Sequence, residues 1–265
     1  MTLTYKKTGV DISKIKSIHH SIGRIISSTH NKSVKHGFGH YAGIVKALGK
    51  NIAVHTDGVG TKVLIAGMMK KYDTIGIDCI AMNVNDIICT GAAPIAFVDY
   101  IAANRNDAKI FSQIATGLAK GAKMSGTPIV GGETAIMPDM FAGKGFMFDL
   151  AGTIVGTIKD KPLLGDATRR GDVIIGVNSS GLHSNGYTLA RKALLKFSLK
   201  DKIHKGSTIG DALLKPTRIY TKPTLEALQK CTLHAIGHIT GGSFSKLSRL
   251  KNLRYDIESL PKTPP

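Results

Sequence analysis

The chain alternates between two hydrophobic periods. Ile52–Thr56 is a short apolar run that ends in Thr56-Asp57-Gly58-Val59-Gly60, which predicts a strand delivering a turn. Over 73–90 the apolar side chains Ile77, Ile80, Ala81, Val84, Ile87 and Ile88 recur at helical spacing. On such a helix Asp78, Met82, Asn85 and Asp86 lie within about a quarter-turn of one another. Ile95–Ala103, after Pro94, predicts a second strand and contains Asp99. Asp107 is placed to cap a helix that runs to about Ser125, with Gly126 past its end. Thr127–Val130 predicts a strand handing over to Gly131-Gly132-Glu133, and Phe146–Ile158 a longer one carrying Asp149.

Gly165-Asp166-Ala167-Thr168-Arg169-Arg170-Gly171 is polar, basic and flanked by glycine, the composition of a linker. It divides the chain into a unit over 1–165 and a second over 171–265. In the second unit Asp172–Val177 predicts a strand, 185–198 a helix after a Ser/Gly/His turn, and Pro216–Lys230 another helix. The turn His238–Ser243 leads into a short helix, and Leu253–Ile257 predicts a last strand. No repeat or low-complexity segment interrupts this order.

Charge narrows the chemistry. Lys and Arg outnumber Asp and Glu 36 to 18, giving a net charge of +18. The excess is +7 over 1–167 and +11 over 168–265, no basic run exceeds two residues, and Trp is absent. A nucleic-acid module concentrates basic charge on one face and adds stacking aromatics, so dispersed charge predicts a solvated surface that favours phosphorylated small molecules. Met1–Asp11 has no apolar leader core, and no apolar run reaches membrane-spanning length, so the expected compartment is the cytoplasm, with neither nucleic acid nor membrane as partner. Cys79 and Cys89 sit among Ile, Ala and Val, as buried thiols do in a reducing compartment.

Against that basic background the few acids stand out. Glu133 is the only glutamate before Glu226, and it follows an apolar run, as does Asp57. Carboxylates at strand ends and on apolar helices are costly unless a cation compensates them. Gly58 and Gly60 allow close backbone approach to an oxyanion, Thr61 adds a hydroxyl, Asp57 can hold a hard cation, and Lys62 can pair with phosphate. The spacing is not that of a Walker A loop, and by itself it fits equally a strand-to-loop turn closed by an Asx-type hydrogen bond. Asp86 and Glu133 are further candidate magnesium ligands, although Asp86, Asp78 and Asp99 could equally be helix or strand acids paired with a nearby base. Gly37 and Gly39 lie in a Gly-rich loop, Lys35–Gly43, that could be no more than flexible. His183 leads a dense polar loop, Ser179–Tyr187, into a helix, which suits a phosphoribosyl group or proton transfer. No G-x-S-x-G elbow accompanies Ser179. Arg218 is a candidate phosphate clamp, and Thr240 and Gly241 could present backbone amides.

The ordered set His55–Lys62, Gly76-Ile77-Asp78, Val84-Asn85-Asp86, Gly131–Thr134, Ser179–Tyr187, Pro216–Tyr220 and His238–Gly242 closely resembles the aminoimidazole ribonucleotide synthetases, the phosphoribosylformylglycinamidine cyclo-ligases. The resemblance runs from Tyr5 to about Tyr255. It implies a ligase of two α/β domains, the first giving strands to a barrel-like sheet shared by a homodimer, the second an α/β domain that is incomplete here. It implies ATP-dependent closure of formylglycinamidine ribonucleotide to aminoimidazole ribonucleotide in purine biosynthesis, with ATP, Mg2+ and optionally K+. On that basis Asp57, Asp86 and Glu133 would hold magnesium. Gly37, Gly39, Gly58, Gly60, Thr61 and Lys62 would hold ATP phosphates. His183, Ser184, Asn185, Arg218, Thr240 and Gly241 would meet the substrate, with His183 and Lys62 as catalytic candidates.

Departures from the family pattern are Ile136 at a commonly acidic position, Leu182 for a frequent Pro, and Ser243 for a Gly. Family members also continue well past the point matching Pro265, so the chain is expected to be a C-terminally shortened copy. Two other readings remain beside the cyclo-ligase. One is a related ATP-using enzyme of the selenophosphate synthetase or thiamine-monophosphate kinase type. Against the first, no Cys precedes Cys79; against the second stand the Ser184–Tyr187 and Pro216–Tyr220 segments. The other is a non-catalytic remnant that only binds nucleotide.

Overall fold

The computed structural model describes residues 4–9, 11–141, 143–203 and 206–261. Its centre is a six-stranded sheet in the order β1-β2-β3-β6-β4-β5. The strands are β1 (Val34–His36), β2 (Gly43–Ala47), β3 (Lys50–Gly58), β4 (Ala93–Ala103), β5 (Ile129–Ile136) and β6 (Phe148–Ile158). β6 pairs antiparallel with both β3 and β4, and β5 pairs parallel with β4, so β3, β4 and β5 point the same way.

Among the described residues seven α-helices accompany the sheet: α1 (Ile12–Ser27), α2 (Lys62–Met69), α3 (Ile75–Ile88), α4 (Ala108–Ser125), α5 (Tyr187–Ala193), α6 (Ile209–Leu214) and α7 (Thr221–Lys230). α3 is buried over nearly its whole length, between the sheet and α4. Strand alternation builds the core: Ala53 of β3, Phe97 and Ile101 of β4, and Leu150 and Ile154 of β6 turn inward, while Val54, Val98 and Tyr100 stay exposed on the other face. α3 and α4 touch backbone to backbone, because a Cβ on Gly76 would fall 2.1 Å from Leu118 N.

The sequence signals for α3, β4 and α4 hold closely. Asp107 caps α4 by accepting from Ile110 N at 3.2 Å, and Gly126 closes it with a left-handed φ of 71°. β5 differs from its expected bounds: it starts at Ile129 and runs on to Ile136, so Gly131-Gly132-Glu133 lies within the strand rather than in a loop after it. The helix expected from Pro216 starts at Thr221, and 216–220 is an extended strap whose backbone groups are held by side chains of α3. The helix expected over 185–198 stops at Ala193. The segments 172–177 and 253–257 form no strand, since an extended chain needs a hydrogen-bonded neighbour and neither has one among the described residues. Val173 and Ile175 are accordingly 85% and 82% exposed.

Candidate functional site

Two carboxylates meet at the C-terminal end of β3. Asp57 sits one residue before the end of β3, and Asp86 lies in the last turn of α3. The Asp57 backbone is fixed from α3: its N–H donates to Asn83 Oδ1 at 3.0 Å, and its carbonyl accepts from Asn83 Nδ2 at 3.1 Å. Its side chain accepts from Gly58 N at 2.8 Å, the Asx-type bond expected of the turn. Burial, and then the neighbouring Asp86 charge, push the Asp57 carboxyl above its ordinary value.

Two histidines complete the cluster. His55 shares a strand face with Asp57, two residues away, and its Nε2 is 3.5 Å from Asp86 Oδ2. His238 Nδ1 donates to Asp86 Oδ1 at 2.5 Å, and its backbone N–H donates to Tyr41 Oη at 3.1 Å. Tyr41 thereby ties the Gly-rich loop, with Gly37 and Gly39, to the His238 turn. One donor atom from each of His55, Asp57 and Asp86 lies within 4.8 Å of the others. His55 Nε2 is buried without a hydrogen-bond partner. Two converging carboxylates, one of them destabilised in its charged form, suit a divalent cation, and the donor set fits magnesium with His55 as an adjacent nitrogen. Lys246 feels the charge of this pair: burial and Arg249 lower its pKa, while Asp86 and Asp57 pull it back up.

Glu133 is not part of this group. Register explains why. Asp57 pairs with Gly152, Gly152 with Asp99, and Asp99 with Gly132, so these four share the inner face. Glu133 is the next residue, pairs with Tyr100 and faces the exposed side. It stands three strand spacings from Asp57, about 14 Å at the usual ~4.8 Å each.

Lys62 is also elsewhere. It opens α2 with its side chain fully buried, and Nζ contacts Asp78 at 2.9 and 2.8 Å and Lys215 O at 2.8 Å. The expected phosphate contact is therefore replaced by a buried ion pair. Burial lowers the Lys62 pKa and raises that of Asp78, each opposed by the other's charge.

The second group of expected residues gathers along the same stripe of α3, around Asp78, Met82 and Asn85. His183 is buried, and Ser184 Oγ lies 3.0 Å from Thr217 Oγ1. Asn185 Nδ2 is 3.8 Å from Met82 Sδ, and Gly241 approaches Asn185 closely. The Arg218 guanidinium donates to Asn178 O at 2.9 Å and remains exposed. Thr61 Oγ1 is 3.3 Å from Thr188 Oγ1, joining the β3–α2 turn to α5. Gly60 takes a left-handed φ of 70° just after Asp57-Gly58, and Thr240 lies in the His238 turn. The thiols of Cys79 and Cys89 are fully buried and their pKa values pushed well up, so neither is a ready nucleophile. His55, His238, Asn83 and Lys246 were not among the expected site residues. His55 carried a signal in its two-residue spacing from Asp57 on a strand, and His238 in heading the His238–Gly242 segment of the family resemblance.

This architecture belongs to a known class. Residues 39–158 match the model for the AIR synthase related protein, N-terminal domain, and 169–257 the C-terminal domain of the same class. Among solved structures, thiamine-monophosphate kinase from Stenotrophomonas maltophilia shares the fold with a TM-score of 0.58 and 18% identity, covering 87% of this chain and 70% of the other. Hydrogenase maturation protein HypE in complex with ATP does so with a TM-score of 0.53 and 20% identity, covering 85% and 59%. Sequence relatives narrow the class. The phosphoribosylformylglycinamidine cyclo-ligase of Methanobrevibacter smithii is 46% identical over 99% of this chain and 78% of its own length. That of Pyrococcus horikoshii is 46% identical over 98% and 78%. The chain belongs to the phosphoribosylformylglycinamidine cyclo-ligase family.

Proposed function

We propose that this chain catalyses ATP-dependent closure of formylglycinamidine ribonucleotide to aminoimidazole ribonucleotide, releasing ADP and phosphate. Family membership at 46% identity supports the reaction, and the Asp57–Asp86 pair is the observation that carries the site. The formamide oxygen takes the γ-phosphoryl group of ATP. The substrate's own amine then attacks the activated carbon, and phosphate leaves with that oxygen. Such chemistry asks the protein mainly for charge neutralisation and alignment.

Asp57 and Asp86 would hold Mg2+, which when bound offsets phosphate charge. Asn83 fixes the Asp57 backbone, and His238 fixes the Asp86 carboxylate. Lys246, whose pKa responds to both carboxylates, would pair with a phosphate near them, and the amides around Gly58 and Gly60 and the Gly37–Gly39 loop would meet its oxygens. His183, Asn185, Arg218 and the Thr240–Gly241 turn would receive the ribonucleotide. Residues 1–165 and 171–265 would be the two domains, working in the cytoplasm. Among the described residues no helix is long and apolar enough to cross a membrane.

The test is turnover. Purified protein with formylglycinamidine ribonucleotide, ATP and magnesium should release one phosphate per aminoimidazole ribonucleotide formed. Thiamine diphosphate and ADP formed from thiamine monophosphate and ATP, with no product from the ribonucleotide, would reject the reading.

The exposed sheet face also supports a homodimer. Val54, Val98 and Tyr100 lie on it at 39%, 38% and 42% exposure, an apolar strip of the kind a partner covers. Light scattering across a dilution series should give twice the 28.2 kDa chain mass at micromolar concentration. Lysine in place of Val98 should shift the equilibrium to monomer, and a folded wild-type monomer throughout would refute the dimer.

A further inference from the structure

The buried Lys62–Asp78 pair is puzzling as a stability device. Removing two charges from water costs several kcal/mol each, and an apolar pair of similar volume commonly serves as well. What the pair does here is hold backbone. Lys62 Nζ reaches Lys215 O at 2.8 Å, and Asp78 Oδ1 accepts from both Thr217 N and Thr217 Oγ1 at 2.7 Å. Because the Thr217 hydroxyl donates to Asp78, the bond between Thr217 and Ser184 at 3.0 Å must run from Ser184 to Thr217. Two helical turns along α3, Asn85 accepts from Tyr220 N at 3.0 Å and donates to Arg218 O at 2.8 Å. One helix thus grips the 215–220 strap at both ends.

The strap in turn meets His183. Arg218 N–H is directed at His183 Nε2 at 3.5 Å, and Ser180 N–H at the same atom at 3.0 Å. Ser180 Oγ also donates to Pro216 O at 2.7 Å, closing the loop onto the strap. A backbone N–H can only donate, so a nitrogen facing two of them must be the bare one, and the ring proton belongs on Nδ1. His183 is held there in a left-handed backbone, φ 58°, a conformation that is strained for a residue with a Cβ and persists only where surroundings enforce it. Burial first, then the charges of His238, Lys62 and Arg218, lower its pKa to about 4, which keeps the ring neutral.

We propose that Lys62 and Asp78 are positioning residues: by clamping Thr217 they aim the Arg218 amide at His183 and fix that ring as the neutral Nδ1–H tautomer. His183 then offers a bound ligand a hydrogen-bond donor, not a base. The catalytic consequence rests on the cyclo-ligase reading given above. The tautomer itself does not.

The experiment is two-bond 1H–15N correlation on protein labelled at histidine, with His183 assigned by loss of its signal in His183→Gln. The wild type should show the Nδ1–H pattern for His183 across about pH 6–8, the range where a free imidazole titrates. Thr217→Ser, which retains hydroxyl and amide, should keep it. In the Lys62→Met/Asp78→Leu double variant, and in Thr217→Val should the double variant fail to fold, His183 should move to the Nε2–H form or to a tautomer average. With formylglycinamidine ribonucleotide, kcat should fall at least tenfold in the variants while KM for ATP stays within about twofold, a split that general unfolding would not produce. An Nε2–H or charged ring in the wild type overturns the proposal. So does an unchanged Nδ1–H signal in the folded variants. Absence of turnover in the wild type would count against the cyclo-ligase reading alone, because the tautomer is still read by resonance.

Discussion

Asp57→Asn is expected to stabilise the metal-free protein and to reduce its stabilisation by magnesium and ATP by about half or more. The Asp57 carboxyl is raised by burial and by Asp86, so the folded state holds its proton more tightly than the unfolded chain does. Stability from this group is full at low pH. It is lost as pH rises from the ordinary carboxylate value through the folded one, and the loss persists at neutral pH. Asparagine keeps the shape and removes the repulsion with Asp86. A bound cation does the same for the wild type, which gains about 2.7 kcal/mol at a hundredfold excess over Kd, a Tm rise of roughly 5–10 °C. Affinity for magnesium-ATP should fall at least tenfold in Asp57→Asn and Asp86→Asn, about 1.4 kcal/mol. Thermal melts at about pH 5 and pH 7.5, with and without magnesium and ATP, read all of this. A ligand-induced shift in Asp57→Asn equal to that of the wild type would remove the pair from the metal site.

Gly76→Ala should lower stability by about 3 kcal/mol or more, near the upper range for overpacking. The new Cβ would meet Leu118 N at 2.1 Å, Gly117 C at 2.5 Å and Ile114 O at 2.5 Å. All three are backbone atoms, so no side chain can swing aside, and α3 must separate from α4. Since α3 carries Asp78, Asn83, Asn85 and Asp86, the displacement should reach both groups of site residues. A Tm drop of roughly 6–12 °C is expected, with activity reduced even at temperatures where the variant is folded. Gly67→Ala is the control. Its Cβ would approach nothing closer than Phe146 O at 3.7 Å, inside α2, so it should be neutral or stabilise by up to about 1 kcal/mol. Equal loss in both variants would mean that helix propensity, not close approach, sets the effect.

What the sequence revealed of the site followed from local periodicity. The helical stripe that groups Asp78, Met82, Asn85 and Asp86 is real, because α3 is long, apolar and well bounded. His55 and Asp57 share a face by simple strand alternation. Glu133 reads as a site residue only if the strand before it ends at Val130. Once β5 continues to Ile136, alternation sends Glu133 to the opposite face. Lys62 reads as a loop lysine beside glycines, yet it is the first residue of α2, and that turn swings it into the core toward Asp78. Its partner is 16 residues away, and the strap both hold is 153 residues away from Lys62. No window of sequence contains that arrangement. The contact of His238 with Asp86, across 152 residues, is illegible for the same reason.

The strand order has a consequence for synthesis. β6 is the last strand of the sheet to leave the ribosome, yet it lies between β3 and β4 and is what joins them. Until Ile158 emerges, the β1–β3 meander and the β4–β5 pair are separate pieces, with β3 and β4 as bare edges, and Phe97 has no Gly152 to lie against. A hundred residues separate the end of β3 at Gly58 from the end of β6 at Ile158. At about 5–20 residues per second, the β3 edge waits roughly 5–20 seconds for its partner. That interval is when the nascent chain is most open to pairing with the wrong strand, and a chaperone that shields strand edges would act then, before the acidic pair of the finished protein exists.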